Sequence, residues 1–210
     1  TVVLVDPAFF DVQYAINPYM DGEVDHDRAR AQWDGLRGVY ERHAEAVHVL
    51  DPAATWERLR DDPDVPAPET RPDMVFVANH AVPTATGDEL VLSRMATDER
   101  AGEPRHFRAW AETAGYRVHD PPSVRFESMG DALWHPGKRL LWGGHGVRSD
   151  RAAYDEIGDR LDATVVPLEL SDERYYHLDV CLAPLSESTA LVSPEAFTDD
   201  GLAKIESAFE

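Results

Sequence analysis

Glu127 and His177 stand at nearly equivalent positions in neighbouring copies of one supersecondary unit. The run Val124-Arg125-Phe126-Glu127 opens one copy, and Tyr175-Tyr176-His177-Leu178-Asp179-Val180 opens the next, about 50 residues on, the period of a stacked or propeller-like array. An earlier copy opens with Met74-Val75-Phe76-Val77-Ala78-Asn79. Polar residues that end equivalent strands of a closed array converge on one axis, which is an active-site geometry. Read as a strand, the last run turns His177 and Asp179 to one face, because residues i and i+2 share a side. A carboxylate beside an imidazole keeps it protonated and oriented, as general acid–base chemistry requires. Glu127 and Asp131 add carboxylates that suit a planar cation through bidentate, charge-assisted hydrogen bonds. A purely structural His–Asp pair would give the same pattern; the repeat-equivalent Glu127 counts against that reading without removing it.

The elements that must position these groups follow from periodicity. Val2–Val5 reads as a β-branched strand, 25–43 as a helix with Trp33, Leu36, Val39 and Tyr40 at helical spacing, and 46–50 as a returning strand. The acid- and proline-rich stretch 61–68 is a loop. Each opening run is followed by a second apolar run: 89–93, then 131–134 with 139–142, then 189–193. Next comes a helical stretch: one carrying Phe107, Trp110 and Ala114 and capped by Gly115, one starting near Ser149-Asp150, and one over 201–210 after Ser193-Pro194. The first two of these copies close with a strand, the second of them at 163–168. The last copy has none, so the chain reads as a single domain, 1–210, that stops in the middle of a unit.

Composition narrows the chemistry. The 210 residues suffice for one sizeable core, with 43% hydrophobic residues and no apolar run of membrane-spanning length. Forty acidic residues oppose twenty basic ones, only two of these lysine (Lys138 and Lys204), for a net charge of −20. Such a surface repels nucleic acid and anionic lipid, so neither is expected as a partner. The acids are dispersed, as on a solvated or high-salt-adapted surface, rather than gathered in a patch for a cationic partner. One cysteine, Cys181, excludes a disulfide framework. With no basic, apolar leader at Thr1–Asp6, it places the chain in the cytoplasm. Strand rise would put Cys181 about 13 Å from His177 on the same face, where it reads as a small buried hydrophobe rather than a nucleophile. The nine histidines form no His-Glu-x-x-His, and Asp25-His26-Asp27 lacks the glycine of a calcium loop, so no metal is expected. Gly143-Gly144-His145-Gly146 has no following Lys-Ser or Lys-Thr and reads as a tight turn, not a phosphate loop.

Five ordered segments then carry a resemblance: Asn17-Pro18-Tyr19-Met20, Asp73 to Asn79, Phe126-Glu127-Ser128-Met129-Gly130-Asp131-Ala132-Leu133, Gly144 to Ser149, and Tyr176 to Cys181. Together they resemble the guanidine-modifying (pentein) superfamily of dimethylargininases, arginine deiminases, arginine dihydrolases and amidinotransferases. The resemblance implies an α/β-propeller of five ββαβ units, here about four. It also implies a small guanidino substrate, no cofactor, and attack by a cysteine on the guanidinium carbon to give a thiouronium intermediate. It makes His177 the general acid–base, with Glu127 gripping the guanidinium and Asp179 in support. Arg148 and Arg100 would hold the substrate's carboxylate, and Asn79, Asn17 and Asp131 would line the substrate. Asn79 stands where dimethylargininases and deiminases carry aspartate, which resembles the dihydrolase branch. The nucleophile is expected beyond residue 210, since Cys181 lies too close to His177. Dimethylargininase activity, or arginine binding without catalysis, are the competing readings. Homo-oligomerisation is possible.

Overall fold

The computed structural model describes residues Thr1–Phe209, which fall into two compact units. Unit one comprises Thr1–Val77 and Thr97–Tyr116; unit two comprises Ala78–Ala96 and the chain from Arg117 onward.

In unit one, β1 (Val2–Val5) pairs in parallel with β2 (Val47–Leu50), and α1 (His26–His43) connects them. Asp25 caps α1 by accepting from Arg28 N at 3.0 Å. α2 (Pro52–Leu59), which periodicity did not suggest, begins on Asp51, whose carboxylate accepts from Ala53 N and Ala54 N, with proline at the first helical position. It packs on α3 (Glu103–Thr113), which ends at Ala114 before Gly115 in the left-handed conformation.

Unit two repeats one motif. β3 (Ala81–Pro83) pairs antiparallel with β4 (Glu89–Leu92), and β5 (Arg117–His119) lies parallel to β4. α4 (Ser128–Asp131) leads into β6 (Ala132–Trp134) and β7 (Leu140–His145), an antiparallel pair; α5 (Ala153–Leu161) then returns the chain to β8 (Thr164–Glu169), parallel to β7. β9 (Leu182–Ser186) and β10 (Thr189–Val192) form the third hairpin, followed by α6 (Asp199–Phe209). Two apolar clusters, around Phe126, Leu141 and Ile157 and around Trp142, Leu168 and Leu178, bury the inner faces.

The repeat is present, but its opening runs are not strands. Residues 72–75 and 77–79, and likewise Glu173–Tyr175 and Leu178–Val180, are short 3-10 turns. Phe126 contributes a single bridge to Arg94 before Glu127 enters α4. Each polar group therefore sits at a tight turn feeding a hairpin. Nor is Gly143-Gly144 a turn: both lie inside β7, where a Cβ on Gly143 would come within 2.7 Å of the Tyr154 ring. α5 starts four residues later than Ser149, and α6 two residues before Gly201. Among the described residues no helix is long and apolar enough to cross a membrane.

Candidate active site

Three turns of unit two deliver the site. Asn79 ends the turn before β3, Glu127 is the N-cap of α4, and His177 is the N-cap of the turn before β9. Their side chains meet at the imidazole. Glu127 Oε2 and Asn79 Nδ2 each lie 3.1 Å from His177 Nε2, and Asp131 Oδ1 lies 3.2 Å from Nδ1. All four residues are buried. A Cβ at residue 130 would fall 2.3 Å from Asn79 Nδ2 and 3.0 Å from His177 Nδ1, so only glycine fits beneath the cluster.

The carboxylates are themselves fixed. Glu127 Oε1 accepts from Ala96 N at 2.9 Å and lies 3.6 Å from Arg148 Nη1. Asp131 accepts from Ser149 Oγ (2.6 Å) and Leu178 N (3.1 Å). Ser149 Oγ also accepts from Glu127 N at 3.0 Å, which ties the two acids together. The Tyr154 hydroxyl reaches the carbonyls of Asp131 and Gly144. Two carboxylates thus face two buried cations, an arrangement that tolerates burial because each charge has a partner.

Burial opposes charge on His177, but Asp131 and then Glu127 outweigh it and lift the imidazole to about 9. It is therefore protonated at neutral pH. Nε2 carries its proton toward Glu127 when charged; when neutral there, its lone pair can accept from the Asn79 amide. The protonation state selects the partner, which suits a group that gives up a proton and takes one back.

This geometry predicts a pH effect on stability. A histidine whose proton affinity rises on folding adds stability that is complete below its unfolded pKa of about 6.5 and is lost as pH rises through about 9. Denaturant unfolding should show about 1–3 kcal/mol less stability near pH 9.5 than near pH 6. The difference should vanish in His177→Gln; a flat profile in the wild type would refute the buried imidazolium.

Not every expected residue joins the cluster. Residues 178–180 form a turn and not a strand; Asp179 stays within electrostatic reach of His177, while the close contacts to the imidazole are those of Glu127 and Asp131. Arg148 lies beside Glu127, its guanidinium 5.4 Å over the Tyr176 ring. Arg100 and Asn17 belong to unit one. There Arg100 is buried and bonds Glu103 through Nε (3.0 Å) and Nη2 (2.7 Å), and the Asp73 carbonyl through Nη2. Asn17 Oδ1 accepts from Tyr19 N in a local turn. Cys181 is buried as expected but is not a strand's length away: its Sγ lies 3.6 Å from the His177 carbonyl, and burial with nearby Asp179 and Asp131 pushes its thiol up to about 12. Ser149, Ser93, Ser128 and Tyr154 had no assigned role in the sequence. Buried serines inside the Glu127–Leu133 and Gly144–Ser149 segments were the available signal. Among the described residues, no three His, Cys, Asp or Glu side chains are grouped to hold a metal.

No protein-family model matches the chain. It is 38% identical over 199 residues to the bifunctional arginine dihydrolase/ornithine cyclodeaminase AgrE of Nostoc sp., covering 93% of this chain and 26% of that protein. It is 37% identical over 208 residues to the N(G),N(G)-dimethylarginine dimethylaminohydrolase of Mycobacterium tuberculosis, covering 98% of this chain and 62% of that one. Its structure is similar to the N-terminal domain of ArgZ, a cyanobacterial arginine dihydrolase of the ornithine–ammonia cycle solved with substrate bound. There the TM-score is 0.85 at 37% identity, over 99% of this chain and 71% of that one. The chain thus spans about a quarter of the bifunctional relative and under two thirds of the mycobacterial one.

Proposed function

The chain belongs to the guanidine-modifying (pentein) superfamily, and on that premise we propose that it carries the guanidinium-binding and proton-transfer groups of a hydrolase acting on arginine or an arginine derivative. The observation behind this reading is the imidazole held between Glu127, Asp131 and Asn79. The guanidinium of Arg148 beside Glu127 and over Tyr176 supports the same reading, because it is the chemical group this pocket would recognise. We read both units as parts of one catalytic domain and the ββαβ copies as about four blades of a five-bladed propeller.

In the proposed reaction a thiolate adds to the guanidinium carbon. His177 gives its Nε2 proton to the departing amine, which leaves as ammonia. The neutral imidazole then takes one proton from water as the water adds to the thiouronium carbon, which restores the imidazolium. Collapse of the adduct expels the thiolate and releases the ureido product, and the adduct's hydroxyl proton passes through solvent to the ammonia, giving ammonium. Glu127 holds the cationic carbon's nitrogens throughout. Asp131 keeps Nδ1 protonated, so that Nε2 faces the reacting atoms. The thiolate is not Cys181, whose buried thiol is pushed up to about 12 and donates to backbone carbonyls. No other cysteine occurs in the 210 residues, so this reading assigns the thiolate to none of them.

Arginine is the favoured substrate, on Asn79. An amide both donates and accepts, whereas a carboxylate only accepts, so Asn79 can orient a second water on a ureido intermediate and carry arginine through to ornithine, carbon dioxide and ammonia. Product analysis on the protein that contains this chain tests this directly. Ornithine with two ammonia per arginine is expected, unchanged in Cys181→Ser. Citrulline accumulating without ornithine would overturn the assignment to Asn79. Methylamine release from methylated arginines in preference to arginine turnover would favour dimethylargininase, and arginine binding with no turnover a purely binding role.

A further inference from the structure

We propose that the buried hydroxyl pair Ser93–Ser128 is a positioning device that holds Asn79 and Glu127 in register on the two sides of His177 Nε2. The inference deepens the reading of His177 as the proton-transfer group and rests on it. Ser93 follows β4, where Ser93 N bonds to the His80 carbonyl and Arg94 exchanges both backbone bonds with Phe126. Its Oγ lies within hydrogen-bond distance of the Asn79 carbonyl and 2.5 Å from Ser128 Oγ. Both serines are buried.

Ser93 Oγ is the donor on both sides, toward the Asn79 carbonyl and toward Ser128 Oγ, two acceptors that share its one proton. One hydroxyl relay therefore joins the backbone of Asn79 to the residue that follows Glu127. Neither hydroxyl bonds to the imidazole, so the pair acts through its two neighbours. Ser128 has φ +42°, the left-handed region that glycine occupies without strain. A serine kept there, where its hydroxyl closes the relay, marks the hydroxyl as the reason for the residue.

Asn79 and Glu127 compete for one ring nitrogen at equal distances of 3.1 Å. Slackening the tether between their backbones changes which of them Nε2 favours, and hence how tightly the ring holds its proton. The charged groups around the ring are Asp131, Glu127, Arg148 and Asp179, none of which a serine substitution removes.

Nitrogen-15 histidine NMR of the protein, with His177 assigned by His177→Gln, reads the ring's protonation midpoint and tautomer. Ser93→Ala and Ser128→Gly are each expected to shift the midpoint by about half a pH unit or more, roughly threefold in proton affinity. Ser93→Thr, which keeps the hydroxyl, should return it toward wild type. Ser128→Gly relieves the left-handed strain, so its shift cannot be a by-product of unfolding, and it alone decides if Ser93→Ala does not fold. Wild-type midpoints in the folded variants overturn the proposal. A shifted midpoint in a protein that turns over no guanidino substrate would instead refute the hydrolase reading and leave the positioning device standing.

Discussion

His177→Ala is expected to lower arginine turnover by about 10²–10⁴-fold, the usual effect of removing a general acid–base. The imidazole touches Asn79, Glu127 and Asp131 together, at the point where the proton is exchanged. Glu127 and Asp131 would also lose the cation between them. A comparison with His177→Gln separates the two effects: glutamine keeps the volume and some hydrogen bonds, yet cannot shuttle a proton at neutral pH. Steady-state ammonia release, normalised to folded protein by circular dichroism, is the measurement. Turnover within tenfold of wild type in either variant would remove His177 from the chemistry.

The largest stability effect is expected at Asp131. Its carboxylate accepts from Ser149 Oγ and Leu178 N and sits 3.2 Å from His177 Nδ1, in the interior. Alanine would strand a hydroxyl, a backbone N–H and an imidazolium without an acceptor, and breaking such a buried pair costs about 3–5 kcal/mol. Asp131→Asn keeps the shape and loses the charge, so it should cost less while bringing His177 down from about 9 toward its ordinary value. Urea unfolding of both variants at pH 7, with the His177 titration, checks this. A loss below about 1 kcal/mol in Asp131→Ala would show that Asp131 is a peripheral contact and not the hub.

Much of this was legible in the chain itself. The roughly 50-residue recurrence, the helix over 26–43, the paired runs of β6 and β7 and the return strands after α3 and α5 follow from local patterns of apolar residues, caps and prolines, which neighbouring residues largely decide. The types of group at Asn79, Glu127, Asp131 and His177, an imidazole with carboxylates and an amide to surround it, were legible as well. What sequence could not set was which carboxylate meets which nitrogen. His177-Leu178-Asp179 reads as an alternating strand only until residues 178–180 close a 3-10 turn, which depends on Leu178 N finding Asp131 Oδ1 from a segment 47 positions away. That long-range bond holds Asp131 against the turn, where its carboxylate also meets the imidazole. Arg148 and Arg100 carry one expectation, a substrate carboxylate, and nothing in the sequence signalled that Arg148 would lie beside Glu127 and Arg100 on Glu103, because a buried charge is held where packing supplies its counter-ion. Residue types and their order determined the fold class and the kind of chemistry. The pairing of charges, and so the proton affinity of His177, was decided only when the turns of three separate repeats were packed against one another and water was excluded from between them.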